Sequence, residues 1–334
     1  MACYVDDCAA YGNLYLLYLV EHQQTQMSVK TVHIQGLIEG GSGLEQMILR
    51  AFDAGICHFD LANNYGPSPG SAETNFGKIL KTHLASHRDE MFISSKAGHD
   101  MWPGVYGDGS SRKNLIASCN QSLKRCGVEY FDVFYSHRYD GVTPVEETMQ
   151  ALIDLVRQGK ALYVGISKYP PKEQQLAYDI LKEAKVPCLL SQYRCSMFDL
   201  KAKKENFQIA ADNGSGVICF SPLAQGLLTG KYDNGIPEGS RAARSTGFLQ
   251  QSQVTPERVE AAKKLGAIAK RRGQSMAQMA LAWVLNDERV TSLIIGTSSV
   301  AQLNNNLETL NNLKFSDEEM AEIDAIISNP AVWF

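Results

Sequence analysis

The sequence predicts an α/β protein built as a single-domain (β/α)8 TIM barrel. From about residue 30 onward, short apolar runs alternate with longer stretches of helical period, the pattern of βα units around a parallel sheet. Eight such runs can be counted in 334 residues, which accommodates the ~250 residues usual for eight units plus insertions. A doubly wound dinucleotide-binding sheet is the competing arrangement. No G-x-G-x-x-G follows an early strand, so any dinucleotide would need a different cradle.

The first strand, Val32 to Gly36, is the weakest, because Thr31-Val32 gives way to His33-Ile34-Gln35 and then meets Gly36, Gly40 and Gly41. The others are clearer: Ile56 to Asp60, Met91 to Lys96, Phe131 to His137, Ala161 to Ser167, Cys188 to Gln192, Val217 to Ser221 and Leu293 to Gly296. Between them the helices carry their own punctuation. Thr143-Pro144 opens one that carries Val145, Met149, Leu152, Ile153 and Val156, and Gly159 closes it. Ser275 can cap Met276 to Leu285, and Ser316 precedes Asp317, Glu318 and Glu319, whose carboxylates suit a first helical turn. The polar stretch from Asp233 to Pro256 reads as a long loop, a kind that tends to be functional or mobile. Residues 1–30 form an atypical N-terminal segment that could be disordered, and 31–334 form the barrel.

With 44% hydrophobic and 20% charged residues, the composition is that of an ordinary globular protein. A net charge of -4 supplies no basic field for a phosphate backbone, which argues against nucleic acid. The eight cysteines are scattered singly, as expected of reduced, mostly buried thiols in a cytoplasmic protein. The apolar segment Tyr11 to Val20 follows Asp6 and Asp7 and lacks a basic n-region, so it is not read as a signal peptide, and it is too short for a membrane span.

In a barrel, polar residues at the carboxyl ends of the strands converge on one mouth. Asp60, Lys96, His137 and Gln192 stand at such ends, and Tyr65 lies in the loop just beyond Asp60. Singly, each is as well explained by capping or solvation. Together they suit proton transfer to a carbonyl oxygen. A tyrosine of ordinary pKa is a poor catalyst at neutral pH. A nearby Lys96 ammonium is expected to lower that pKa, with Asp60 holding the lysine and His137 hydrogen-bonding the carbonyl oxygen. Such a site needs a hydride donor. His58 shares a strand face with Asp60 and would suggest a metal site with His137, but it lies one pleat deeper in the barrel, no third ligand is obvious, and a hydrogen-bonded core histidine explains it. Trp102, in the loop after Lys96, is expected to wall the substrate pocket, with cover for the core as the plainer reading.

Several ordered motifs carry a resemblance. Gly55 to Gly66 (GICHFDLANNYG), Ser95-Lys96, Ser136-His137-Arg138 and Phe220-Ser221-Pro222-Leu223 resemble the aldo-keto reductase superfamily. Pro67 to Glu73 (PSPGSAE), Ala97 to Gly104 (AGHDMWPG), Pro222 to Tyr232 (PLAQGLLTGKY) and Gly273 to Ala280 (GQSMAQMA) are similar to its branch of bacterial L-glyceraldehyde 3-phosphate reductases and potassium-channel β-subunits. The resemblance covers roughly residues 44 to 328. It implies an NADPH-dependent enzyme that reduces small aldehydes of the methylglyoxal and glyceraldehyde 3-phosphate class, as in methylglyoxal detoxification, with Asp60, Tyr65, Lys96 and His137 as the catalytic tetrad.

By the same resemblance, Ser167, Lys168 and Gln192 belong to the nicotinamide carboxamide end of the cofactor site, and Phe220 stacks on the ring. Ser221, Pro222, Leu223, Ala224, Gly226 and Lys231 run beside the pyrophosphate. Arg241 meets the 2′-phosphate, and Gly296, Ser298, Gln302, Asn305 and Asn306 hold the adenosine end. The branch often has Glu where Asn305 stands. A small aldehyde is the implied partner, and homo-oligomers are common in the branch. The alternative function is an NADPH-binding subunit that docks to a partner with little turnover; such channel-associated proteins typically carry Asn where this chain has His137. The departure is N-terminal. Gln35 to Gly43 (QGLIEGGSG) stands in place of the family's first-strand loop and lacks its aromatic, which bears on one wall of the pocket.

Overall fold

A computed structural model describes residues 31–33, 42–243 and 249–334. The expectations for residues 1–30 and for the loop up to Gly41 lie outside the described residues. Eight parallel strands close into a barrel in sequence order: β1 (Thr31–His33), β2 (His58–Asp60), β3 (Phe92–Ala97), β4 (Phe131–Ser136), β5 (Ala161–Ser167), β6 (Cys188–Arg194), β7 (Gly216–Phe220) and β8 (Val290–Ile295). The first strand is three residues long and starts one residue before the expected one. It pairs with both β2 and β8, and this closes the ring.

The helices cover the outside: α1 (Ser42–Asp53), α2 (Ser71–Ile79), α3 (Arg112–Cys126), α4 (Val145–Arg157), α5 (Pro171–Glu183), α6 (Lys201–Glu205), α7 (Phe207–Asp212), α8 (Pro256–Arg271), α9 (Met276–Leu285), α10 (Val300–Leu307) and α11 (Asp317–Ile327). Their ends follow local chemistry. The Ser275 hydroxyl accepts from Gln278 N while the Gln278 side chain accepts from Ser275 N, and Ser316 and Glu319 repeat this reciprocal cap. Each such cap stabilises its helix by about 1 kcal/mol. α4 begins after Pro144 as expected, and Gly159, at φ 70°, turns the chain back toward β5.

Two apolar layers result. The larger lies between the strands and the helices, and a smaller cluster of Val133, Tyr135, Leu189, Leu190, Ile218 and Ile294 fills the barrel interior. Alternation along the strands sends one side chain in two inward. On β3 this puts Phe92, Ser94 and Lys96 on one face, and the register sets Lys96 beside Tyr135 and Tyr135 beside Gly165. The interior is therefore apolar below and polar at the carboxyl ends of the strands. Among the described residues, no helix is long and apolar enough to cross a membrane.

Candidate active site

Asp60, the last residue of β2, is completely buried and holds three donors. Lys96 Nζ donates to Oδ2, while Ser94 Oγ and Gln192 Nε2 donate to Oδ1 at 2.6 and 2.9 Å. Ser94 was not singled out from the sequence, although its spacing two residues before Lys96 puts both on one strand face. A buried carboxylate with a cation and two neutral donors has its lone pairs answered, which such an ion pair requires. Burial lowers the Lys96 pKa from its ordinary value, and the Asp60 carboxylate opposes that shift without cancelling it.

Above this pair stands Tyr65, whose ring lies 5.2 Å from Lys96 Nζ. Its hydroxyl is 3.4 Å from His137 Nε2, and the two rings meet edge to face with centroids 5.6 Å apart. The expected depression of the tyrosine pKa is not found. Burial, reinforced by the Asp60 carboxylate, raises it well above the ordinary value, so the hydroxyl is a neutral donor at physiological pH. His137 is shifted the other way, well below the ordinary histidine value, by burial first and then by Lys168 and Lys96. Its Nδ1 is buried without a hydrogen-bond partner among the described residues. An orphaned N–H is costlier than a bare nitrogen lone pair, so the proton belongs on Nε2, facing Tyr65.

The loop between Tyr65 and α2 is tied down from behind. Ala72 N donates to Tyr65 O at 3.2 Å. Next to Ala72, the fully buried Glu73 accepts from Ser95 Oγ at 2.5 Å and from Arg125 Nε at 2.6 Å. This node joins the Tyr65 loop, the strand that carries Lys96 and α3. Its partners lie 22 and 52 residues from Glu73 in sequence, too far for local pattern to reveal.

A cavity of about 1090 Å³ opens over these groups, at the upper end of the range usual for ligand sites. Tyr65, His137, Ser167, Lys168, Gln192 and Phe220 line its inner part. Ser221 to Gly226, Lys231, Arg241, Gly296, Ser298 and Gln302 line its outer part. Asp60 and Lys96 lie beneath, and Asn305 and Asn306 lie on α10 behind the rim. Trp102 is not among the residues that line the cavity; it sits against Gly107 in the loop after β3. Phe334, at the chain end, does line it, with its backbone N–H bonded to Phe198 O at 3.1 Å. His58 is buried, lies 2.9 Å from Ser94 Oγ through Nε2, and is pulled down to about 4 chiefly by burial.

The cavity's outer wall fits a dinucleotide. Ser221, Ala224 and Gln225 adopt left-handed φ of 55, 48 and 58°, followed by Gly226 at 103°. Non-glycine residues held there cost about 1 kcal/mol or more each, and a run of this kind forms the concave backbone that receives anions. Across the cavity the Ser299-capped end of α10 turns backbone N–H groups outward. Arg241 Nη1 donates to Gln225 Oε1 at 3.0 Å, so the arginine is moored to that same strained turn.

The sequence comparisons agree with this geometry. Residues 42–328 match the Aldo/keto reductase family. The chain is 50% identical over 307 residues to L-glyceraldehyde 3-phosphate reductases of Escherichia coli O157:H7 and K12, which covers 91% of this chain and 89% of each relative. It is 34% identical over 290 residues to a Schizosaccharomyces pombe protein named as a putative voltage-gated potassium channel subunit beta, covering 84% of this chain and 82% of that one. Reductases of this family generally use a nicotinamide dinucleotide. With a closed eight-stranded barrel, a buried Asp60–Lys96 pair under Tyr65 and His137, and a family match over most of its length, the chain belongs to the aldo/keto reductase family and is an oxidoreductase.

Proposed function

We propose that the protein reduces small aldehydes, of the methylglyoxal and glyceraldehyde 3-phosphate class, with NADPH. The observation that carries this reading is the neutral Tyr65 hydroxyl set 3.4 Å from His137 Nε2 at the floor of a cavity large enough for a dinucleotide and a small substrate. The reductase names of the 50% identical relatives support the substrate class. The bound reduced nicotinamide supplies the hydride.

The chain's own residues do the rest. Tyr65 O–H and His137 Nε2–H both reach the place where an aldehyde oxygen would sit, so the developing alkoxide meets two donors already in position. Tyr65 gives up its proton as that charge forms. The Lys96 ammonium then stabilises the tyrosinate left behind, and Asp60 keeps the lysine charged and in place. Burial excludes water, which strengthens both interactions.

Ser167 and Gln192 hold the carboxamide, beside Lys168. Gln192 spends its NH₂ on Asp60, which leaves its carbonyl oxygen to accept from an amide. Phe220 provides the stacking face, the turn from Ser221 through Gly226 with Lys231 takes the pyrophosphate, and Arg241 takes the 2′-phosphate. Gly296, Ser298, Gln302, Asn305 and Asn306 hold the adenosine end. Residues 31–334 act as one barrel.

The test is NADPH consumption by purified protein with methylglyoxal and with glyceraldehyde 3-phosphate, beside a fluorescence titration of NADPH alone. Turnover supports the reductase. Tight binding without turnover on a panel of aldehydes points to a docking subunit, and absence of binding overturns the cofactor assignment.

A further inference from the structure

Glu73 is a second buried carboxylate beside the reacting centre, and it takes no part in the proton transfer described above. It lies on α2, completely buried, and both its oxygens accept: Oε1 from Ser95 Oγ at 2.5 Å and Oε2 from Arg125 Nε at 2.6 Å. A carboxyl group that only accepts is ionised. Ser95 immediately precedes Lys96 on β3 and its side chain leaves the strand on the opposite face, so this charge sits behind the residue next to the Lys96 ammonium. Arg125 reaches Glu73 because two side chains are missing. A Cβ on Gly70 would stand 2.8 Å from Arg125 Cδ, and one on Gly77 would stand 2.6 Å from the Arg125 carbonyl oxygen. The arginine is partly exposed and Lys96 is buried, so the two cations approach the carboxylate from the outside and the inside of the barrel.

Lys96 is faced by Asp60 and His58 on β2, by Tyr65 beyond them, by Tyr135 and His137 on β4, and by Lys168 after β5. Within that ring Asp60 is the anion. Burial lowers the Lys96 pKa, Asp60 opposes this most strongly, and Glu73 opposes it next. The same residue bears on the acid. Glu73 follows Ala72, whose N–H donates to Tyr65 O at 3.2 Å, so fixing the Glu73 side chain also fixes the loop that presents the phenol.

Resting on the reductase reading above, we infer that Glu73 is a positioning residue for the reaction: it moors the Tyr65 loop to the strand of Lys96 and adds a second negative charge that holds the Lys96 ammonium, with Arg125 tempering that charge from outside. NMR of protein isotope-labelled at its lysine side chains follows Lys96 without turnover, its signal being the one lost in Lys96→Met. Glu73→Gln keeps the size and removes the charge, and the Lys96 titration midpoint falls by about one pH unit. Arg125→Met keeps the carboxylate and removes its counter-charge, so the midpoint rises. The double variant strands no charge and falls as Glu73→Gln does, which keeps the test open where a single variant does not fold. A merely structural ion pair gives the same change whichever half is removed. Midpoints that move together in the two single variants therefore overturn the proposal, as does an unmoved midpoint in Glu73→Gln or in the double variant. Kinetics give a second readout. In Glu73→Gln, kcat for aldehyde reduction falls by about tenfold and its alkaline decline begins at lower pH, while KM and NADPH affinity stay within about threefold. A wild type that turns over no aldehyde fails the reductase reading alone, and the Lys96 midpoints still decide on Glu73.

Discussion

The Tyr65 hydroxyl and His137 Nε2 face each other across 3.4 Å although 72 residues separate them in sequence. Burial pushes the two pKa values apart, the phenol up and the imidazole down, so both groups are neutral between the ordinary histidine and tyrosine values of about 6.5 and 10. Tyr65→Phe removes the acid and keeps the shape. Turnover is expected to fall by about 10²- to 10⁴-fold, with NADPH affinity nearly intact by fluorescence titration. Over the same pH interval wild-type kcat for reduction should be flat, and a sigmoid centred within it would mean that another group delivers the proton.

Asp60 and Lys96 are 0% and 1% exposed and paired with each other, so each compensates the other's buried charge. Asp60→Asn strands the ammonium, and breaking such a buried pair on one side costs about 3–5 kcal/mol. A large drop in the melting temperature is expected. The double change Asp60→Asn with Lys96→Met removes both charges and should recover much of that stability while activity stays low. Recovery of activity in the double variant would contradict the role given to Lys96.

Arg241 is moored to Gln225 in the strained turn after β7. A guanidinium there matches a phosphate monoester and has little to grip on a bare ribose. Arg241→Ala is accordingly expected to weaken NADPH by about tenfold or more and NADH far less, read from two fluorescence titrations. Equal losses for the two cofactors would remove Arg241 from the 2′-phosphate.

The barrel was legible because strand and helix periods alternate cleanly, and Asp60, Lys96, His137 and Gln192 were legible because a strand end fixes where a side chain goes. What escaped was pairing across distance. Nothing local connects Glu73 with Arg125, or His99 with Lys168 across 69 residues. The direction of the Tyr65 shift escaped for a related reason: the sequence places a lysine nearby but cannot say how deeply the phenol is buried, and burial outweighs the cation. Trp102 reads from sequence as pocket wall or as cover, and the course of its loop sets it against Gly107 rather than among the residues that line the cavity.

His58 supplies a pH dependence of stability. Its folded pKa of about 4 lies below the ordinary value of 6.5, so between these values the unfolded chain binds the extra proton and stability rises with pH. The contribution is complete above about pH 6.5 and is lost as the pH falls toward 4, amounting to about 3 kcal/mol. His58→Gln keeps a polar group near Ser94 without the titration. Denaturant midpoints measured across pH 4 to 7 should fall less steeply in the variant, and parallel curves would assign the acid sensitivity to other groups.

Gly165 gives the last test, because it separates packing from chemistry. It lies on β5 beside Tyr135 in the strand register, and a Cβ built there would stand 2.3 Å from the Tyr135 ring. The ring cannot retreat freely, since Tyr135 is fully buried in the barrel interior and Lys96 Nζ lies 5.6 Å from its centroid. Gly165→Ala therefore overpacks the layer directly beneath the reacting groups, at a cost of about 1–3 kcal/mol, and displaces Tyr135 toward Lys96. The expected signature is a fall in kcat with the NADPH affinity little changed and a modest loss of melting temperature. Tyr135→Phe should not relieve it, because the hydroxyl is not the clashing atom, whereas Tyr135→Leu should restore part of the stability by removing the ring, the Leu190 carbonyl oxygen 2.9 Å from the same Cβ accounting for the rest. If Gly165→Ala lowered stability and left kcat untouched, the Tyr135 layer would be mere filling and the position of Lys96 would be fixed by Asp60 alone.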